Sequence, residues 1–105
     1  MKSLVFTASV GLTLCSGAAL AADAQQLLKE KACLSCHTVD NKLVGPAYKD
    51  VAAKFAKRKD AEAYLVKKIL GGSVGEWGPV PMPPNTTVNE SEAKILAKYI
   101  LSLKK

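Results

Sequence analysis

Cys33, Cys36 and His37 form a C-x-x-C-H motif, "CLSCH", and His37 is the single histidine of the 105-residue chain. Two thiols three residues apart, followed at once by an imidazole, are the signature of covalent haem attachment. The thiols add to the two vinyl groups on one side of the porphyrin. The imidazole that follows is then held against one face of the iron. Two other readings of the cysteine pair are weaker. A redox disulfide of the thioredoxin kind needs the strand-to-helix context of a βαβ fold, which this sequence lacks. A zinc site needs a second pair of ligands, and no Cys or His follows residue 37.

A second stretch, "GPVPMPPN" at 78–85, sets Met82 among Pro79, Pro81, Pro83 and Pro84. Such a segment can be neither helix nor interior strand. Methionine is usually an adaptable filler of cores, so a rigid backbone around it implies that the sulfur has a required position. Haem iron takes two axial ligands, and His37 supplies one. His/Met ligation is one of the known sets and raises the potential. A neutral thioether is a weak ligand, and prolines lower the entropy lost in bringing it to the iron. The two side chains are expected to face each other across an apolar slot with Cys33 and Cys36 at one edge. The competing reading makes Met82 a packing residue over five-coordinate iron.

Residues 1–21 read as a secretory leader. Lys2 is a short positive start, an apolar run extends from Leu4 to Leu20, and Ala19-Leu20-Ala21 fits the small-residue cleavage rule. Cleavage after Ala21 is expected, with Ala22 the next choice, leaving 22–105 as one domain and Met82 as its only methionine. An uncleaved membrane anchor fits less well, because the run is short, contains Ser, Thr and Gly, and is followed by no stop-transfer pattern. A lipoprotein anchor at Cys15 would want a small residue where Leu14 stands. Haem attachment follows export, which agrees with a periplasmic location and with no stable membrane insertion after cleavage.

The mature domain would have 84 residues, a length at which a core alone is marginal and a staple is usual; covalent haem is that staple. The whole chain has 15 basic and 9 acidic residues, a net charge of +6. Losing Lys2 leaves 14 against 9, a net of +5. No nucleic-acid motif or aromatic interleaving accompanies the charge. The basic residues, among them Lys29, Lys31, Lys42, Lys49, Lys54, Lys57, Arg58 and Lys59, fit either a solvated surface or steering toward acidic protein partners.

The elements that must position these groups read as helices separated by loops, with no convincing strand. Helical spacing is expected over 24–32 with Asp23 as N-cap, delivering the chain straight into Cys33. A second helix is expected over 47–57, with Tyr48, Val51, Ala52 and Phe55 on one face. A third is expected over 61–70, with Asp60 as N-cap and Gly71 past its end. The last is expected over 90–103, where Asn89 and Glu92 make a capping-box start and Ala93, Leu96, Ala97, Ile100 and Leu101 a continuous apolar stripe. Lys98, Lys104 and Lys105 suit the negative end of its dipole. The intervening 71–88 has no regular pattern, and a loop of that length in so small a domain is normally functional. Its Trp77, Val80 and Met82 are expected to be buried, as a fixed strap over one face of the haem. Pro46, closing the loop after His37, offers a carbonyl that would fix the imidazole tautomer and raise its basicity, besides starting a helix.

Together, "CLSCH", "VGPAYKDVAAKFA", "GGSVGEWGPVPMPPN" and "EAKILAKYILS" resemble the class I c-type cytochromes, in particular the short bacterial monohaem type that donates electrons to the haem nitrite reductase of denitrifiers. The resemblance covers essentially the whole mature chain. It implies an all-α fold of about four helices around one covalent haem c, with the first and last helices crossing so that Leu27 and Leu28 lie near Leu96 and Tyr99. It implies that Cys33 and Cys36 carry the thioethers, and that His37 and Met82 are the axial ligands. It further implies that the carbonyl of Pro46 accepts from the imidazole, that Asn85 bonds near the ligand sulfur, and that Trp77 and Lys68 contact a haem propionate. Arginine is common at the position of Lys68, and lysine cannot make the same planar two-point contact.

The function implied is a monomeric periplasmic electron carrier rather than an enzyme. Its partners would be redox proteins with acidic docking surfaces: a haem nitrite reductase, a terminal oxidase or a quinol-oxidising complex. The alternative class is a haem peroxidase or gas sensor with labile Met82 ligation. The chain has no spare histidine, and Arg58 is its only arginine, so a peroxidase-like distal acid–base set is missing.

Overall fold

A computed structural model describes residues 16–103 of the chain. Expectations placed on residues 1–15, which include most of the leader, and on Lys104 and Lys105 lie outside the described residues. The elements are α1 (Ser16–Glu30), a 3-10 turn (Cys33–Ser35), α2 (Tyr48–Phe55), α3 (Ala61–Gly71) and α4 (Glu90–Ser102). Among the described residues the only extended pairing is an isolated antiparallel bridge between Ser73 and Met82, so the fold is all-α as expected. No described helix is long and apolar enough to cross a membrane.

The last helix organises the rest. At its start the side chain of Asn89 accepts from the amide of Glu92 at 2.8 Å, and the Glu92 carboxylate accepts from the amide of Asn89 at 3.1 Å. This capping box satisfies two of the donors that a helix N-terminus leaves unpaired. Ala93, Leu96, Ala97 and Ile100 are buried along one stripe, and through it α4 packs against α1, α2 and α3. Alanines at 93 and 97 add nothing beyond Cβ, which lets neighbouring helices approach closely. Leu28 of α1 and Leu96 share one buried cluster, with Leu27 and Tyr99 packed against its margin. Lys31, just past α1, donates to the carbonyl of Thr87 at 2.8 Å and pairs with Glu92 at 3.6 Å, tying the attachment motif to the start of α4.

The helix ends differ from the sequence reading in several places: α1 stops at Glu30 rather than 32, and α2 spans Tyr48–Phe55 rather than 47–57. The first helix begins at Ser16, so Asp23 lies inside it and caps nothing; Ala18, Ala19, Leu20, Ala21 and Ala22 are strong helix formers, and no Gly or Pro separates them from Asp23. Asp60 does occupy the N-cap of α3, but its side chain makes no cap bond. Arg58, two residues earlier, takes both carboxylate oxygens. Gly71 is the last residue of α3 rather than its cap. Gly72 takes that place at φ +81, its amide donating to the carbonyl of Lys68 at 2.9 Å.

Candidate functional site

After α1 the chain turns at Ala32, whose φ of +59 is the left-handed conformation that commonly stops a helix. The 3-10 turn follows, and the amides of Cys36 and His37 both donate to the carbonyl of Cys33, at 3.2 and 3.0 Å. This winding gathers two thiols and an imidazole at one place. Both cysteines are free in the bare chain. Burial pushes the Cys33 thiol above its ordinary range, opposed by a hydrogen bond with the Tyr48 side chain.

His37 is held from three sides. Its Nδ1 lies 2.8 Å from the carbonyl oxygen of Pro46. A carbonyl can only accept, so the contact places the ring proton on Nδ1 and leaves the lone pair on Nε2. The ring of Tyr48 stacks on the imidazole at 4.9 Å between centroids, 20° from parallel. On another side is Gly45, where a Cβ would stand 2.8 Å from Nδ1 and closer still to Cε1; no side chain fits there. The amides of Tyr48 and Lys49 donate to the carbonyls of Thr38 and Val39, at 2.9 and 3.1 Å, which fastens the start of α2 to the chain leaving His37.

The segment that carries Met82 is anchored at both ends. The amide of Ser73 donates to the carbonyl of Met82 at 3.0 Å, and the amide of Met82 returns the bond to Ser73 at 2.8 Å. Gly72 allows this approach, because a Cβ there would lie 2.6 Å from the Met82 carbonyl oxygen. Further on, Asn85 donates to the carbonyl of Ile69 with both its amide, at 3.1 Å, and its side-chain Nδ2, at 2.9 Å. The Asn85 bond described by the structure is therefore to α3. Between the anchors the segment is more open than expected: Val80 is 60% and Trp77 38% exposed, since a rigid proline-rich loop presents side chains to both sides and one side is solvent.

These pieces border one cavity of about 520 Å³, within the roughly 300–1,000 Å³ usual for small-molecule and cofactor sites. Leu28, Val51, Phe55, Leu65, Ile69 and Leu96 make an apolar wall. Each residue that the resemblance assigns to the haem site borders it: Cys33, Cys36, His37, Pro46, Lys68, Trp77, Met82 and Asn85. Two thiols at one edge, an imidazole with its Nε2 lone pair free, a thioether and an apolar wall fit a covalently held haem. Among the described residues no group of three or more His, Cys, Asp or Glu could hold a bare metal ion, so a zinc site lacks its ligands. Sequence reading did not single out Gly45 or Gly72, named Lys54 only among the basic surface residues, and placed Tyr48 only in the core. Their contacts are tertiary, and no local sequence pattern gave Gly45 a steric role.

An all-α fold closed around an apolar cavity, with a C-x-x-C-H turn at its edge, defines a c-type haem protein. A model of the family "Cytochrome c" matches residues 21–104. Cytochrome c-551 of Pseudomonas aeruginosa is 55% identical over 92 residues, 88% of each chain. Cytochrome c-552 of Hydrogenobacter thermophilus is 50% identical over 104 residues, 99% of this chain and 100% of that protein. The crystal structure of Nitrosomonas europaea cytochrome c552 superposes with a TM-score of 0.75 at 54% identity, covering 76% of this chain and 99% of that one. The chain belongs to the cytochrome c family, among its small class I monohaem members. It carries covalently attached haem c and is a small electron-carrier cytochrome.

Proposed function

We propose that this cytochrome is a periplasmic carrier of single electrons, with His37 and Met82 as the axial ligands of its iron. The observation that carries this reading is the convergence on one cavity of the C-x-x-C-H turn and the anchored strap that holds Met82. The haem supplies the chemistry, its iron alternating between ferric and ferrous states. The chain's own residues keep that iron in one geometry. Pro46 fixes the proton of His37 on Nδ1, and the bridge to Ser73 fixes the backbone of Met82. Rigid ligation on both faces suits transfer, because little rearranges between oxidation states, and it leaves no open position for turnover of a substrate.

On this reading residues 1–21 are removed on export and 22–105 is the working monomer. Two findings support that division: the family model begins at residue 21, and the Nitrosomonas europaea chain, matched over 99% of its length, corresponds to 76% of this one. The basic surface then serves acidic redox partners, a haem nitrite reductase, a terminal oxidase or a quinol-oxidising complex being the candidates, and not nucleic acid. Trp77 and Lys68, both on the cavity border, would meet a haem propionate.

Absorption spectra of the purified protein in both redox states, with intact mass, test the proposal. The expected result is one covalent haem, an N-terminus at Ala22, the sulfur-to-iron band in the oxidised spectrum, and slow, weak binding of carbon monoxide to the reduced protein. Fast, tight carbon monoxide binding would instead identify a gas sensor or peroxidase with labile Met82.

A further inference from the structure

The tip of the strap, Gly75 to Trp77, projects between the two anchored ends, and Trp77 is a wall of the haem cavity while remaining 38% exposed. A side chain so placed needs something to hold it. The ammonium of Lys54, on the outer side of α2, lies 4.4 Å from the centroid of the Trp77 indole, over its face. The same ammonium donates to the carbonyl of Glu76 at 3.1 Å and pairs with the Glu76 carboxylate at 3.5 Å. An ammonium has three donors, so one group serves the ring, the backbone and the carboxylate together. Phe55, the neighbour of Lys54, meets the same indole nearly perpendicular, at 6.4 Å between centroids. Trp77 is therefore gripped from α2 by a cation on its face and an aromatic ring against it.

We infer that Lys54 is a positioning residue for the haem cavity, clamping the strap tip to α2 and so setting the place of the Trp77 wall. The inference rests on haem occupying this cavity and not on the identity of the second axial ligand. Each contact alone is modest, since Lys54 is partly exposed. Their value lies in sharing one ammonium, so the side chain is ordered once for three interactions. Arginine would keep the clamp, because a guanidinium stacks on indole and donates to oxygen. Methionine would keep the apolar stem and lose all three contacts.

The test compares haem-loaded wild type with K54M, K54R and E76Q, with K98M as a control for the lost surface charge. Amide hydrogen exchange is followed at Ser73 and Met82, whose paired bonds close the strap below the tip, and the Trp77 indole N–H resonance and the midpoint potential are measured alongside. K54M should exchange about fivefold to tenfold faster at those two amides, move the indole resonance and shift the potential away from K98M. K54R should restore exchange to within about twofold of wild type. E76Q, which keeps the carbonyl acceptor and loses the ion pair, should fall between wild type and K54M, and it decides the matter if K54M fails to fold. Exchange in K54M equal to that in K98M, absence of rescue by K54R, or E76Q at the wild-type rate would each overturn the inference. A spectrum without the sulfur-to-iron band would refute Met82 ligation and leave these rates as the measure of the clamp.

Discussion

Replacing Gly45 by alanine tests how firmly the imidazole is held. The added Cβ would lie 2.8 Å from Nδ1 of His37, 3.0 Å from Nε2 and closer still to Cε1, well inside van der Waals contact. The backbone at 45 cannot retreat freely: its amide donates to the carbonyl of Cys36 at 2.7 Å, and its carbonyl accepts from the amide of Leu43 at 3.0 Å. The imidazole must move instead, away from Pro46 and out of its stack with Tyr48. Overpacking costs about 1–3 kcal/mol, and the lost bond to Pro46 about 0.5–1.5 kcal/mol, so a loss of roughly 2–4 kcal/mol is expected. For a domain of this size each kcal/mol moves Tm by roughly 4–8 °C, giving a fall of roughly 10–30 °C in thermal unfolding of the haem-loaded protein. Gly45 is not in the left-handed region, so backbone strain does not confuse the result. The matched control is Gly71→Ala, where a Cβ meets nothing within 4 Å and a helical alanine should gain up to about 1 kcal/mol. If Gly45→Ala melts within about 2 °C of wild type with its histidine ring resonances unmoved, the steric account of His37 is wrong.

Gly72→Ala should be worse tolerated, since φ +81 with ψ 177 is a glycine-only region costing about 1–3 kcal/mol and the Cβ would also strike the backbone of Met82. Its signature should be loosening of the strap, read as accelerated exchange of the Ser73 and Met82 amides. Asn89→Ala removes half of the capping box and should cost about 1 kcal/mol, a fall in Tm of roughly 4–8 °C, with the spectrum unchanged. Arg58 holds the Asp60 carboxyl below its ordinary range through a direct hydrogen bond, so this carboxylate favours the folded state above the ordinary carboxylate range and loses that contribution as pH falls through its lowered pKa. Arg58→Gln should raise the Asp60 pKa, seen by carbon-detected titration, and flatten the acid side of the stability profile.

What the sequence revealed follows how far each signal reaches. The start of α4 was legible because Asn89, Glu92 and the apolar stripe act within one or two turns. The attachment motif was legible because its chemistry lies within five residues. Asp60 was placed rightly at the N-cap of α3, though its side chain makes no cap bond because Arg58 takes the carboxylate; the start of α1 was missed because an alanine-rich run continued a helix past the aspartate taken as its cap. The strap was recognised as a loop, but its bridge to Ser73 spans several residues and two prolines, and no local pattern encodes it. The exposure of Val80 followed from the same error, since an anchored loop need not bury every apolar side chain it carries. The bonds that finish the site, from His37 to Pro46 and from Lys54 to Glu76, are tertiary; chemistry suggested the first, and nothing local suggested the second.

The paired bonds between Ser73 and Met82 separate two kinds of freedom at the ligand position. With its amide and carbonyl both engaged, Met82 has a settled main chain whether or not its sulfur is bonded, and only the side-chain torsions carry the sulfur toward or away from the iron. On the proposed ligation, only the side-chain torsions of Met82 would have to move for its sulfur to approach or leave the iron, with the strap still closed. The detached sulfur would stay tethered within a side-chain length of the metal, at a high effective concentration. A dissolved competitor would then have to exceed that local concentration before it could hold the site, so a bond that is weak by itself persists through the certainty of its return.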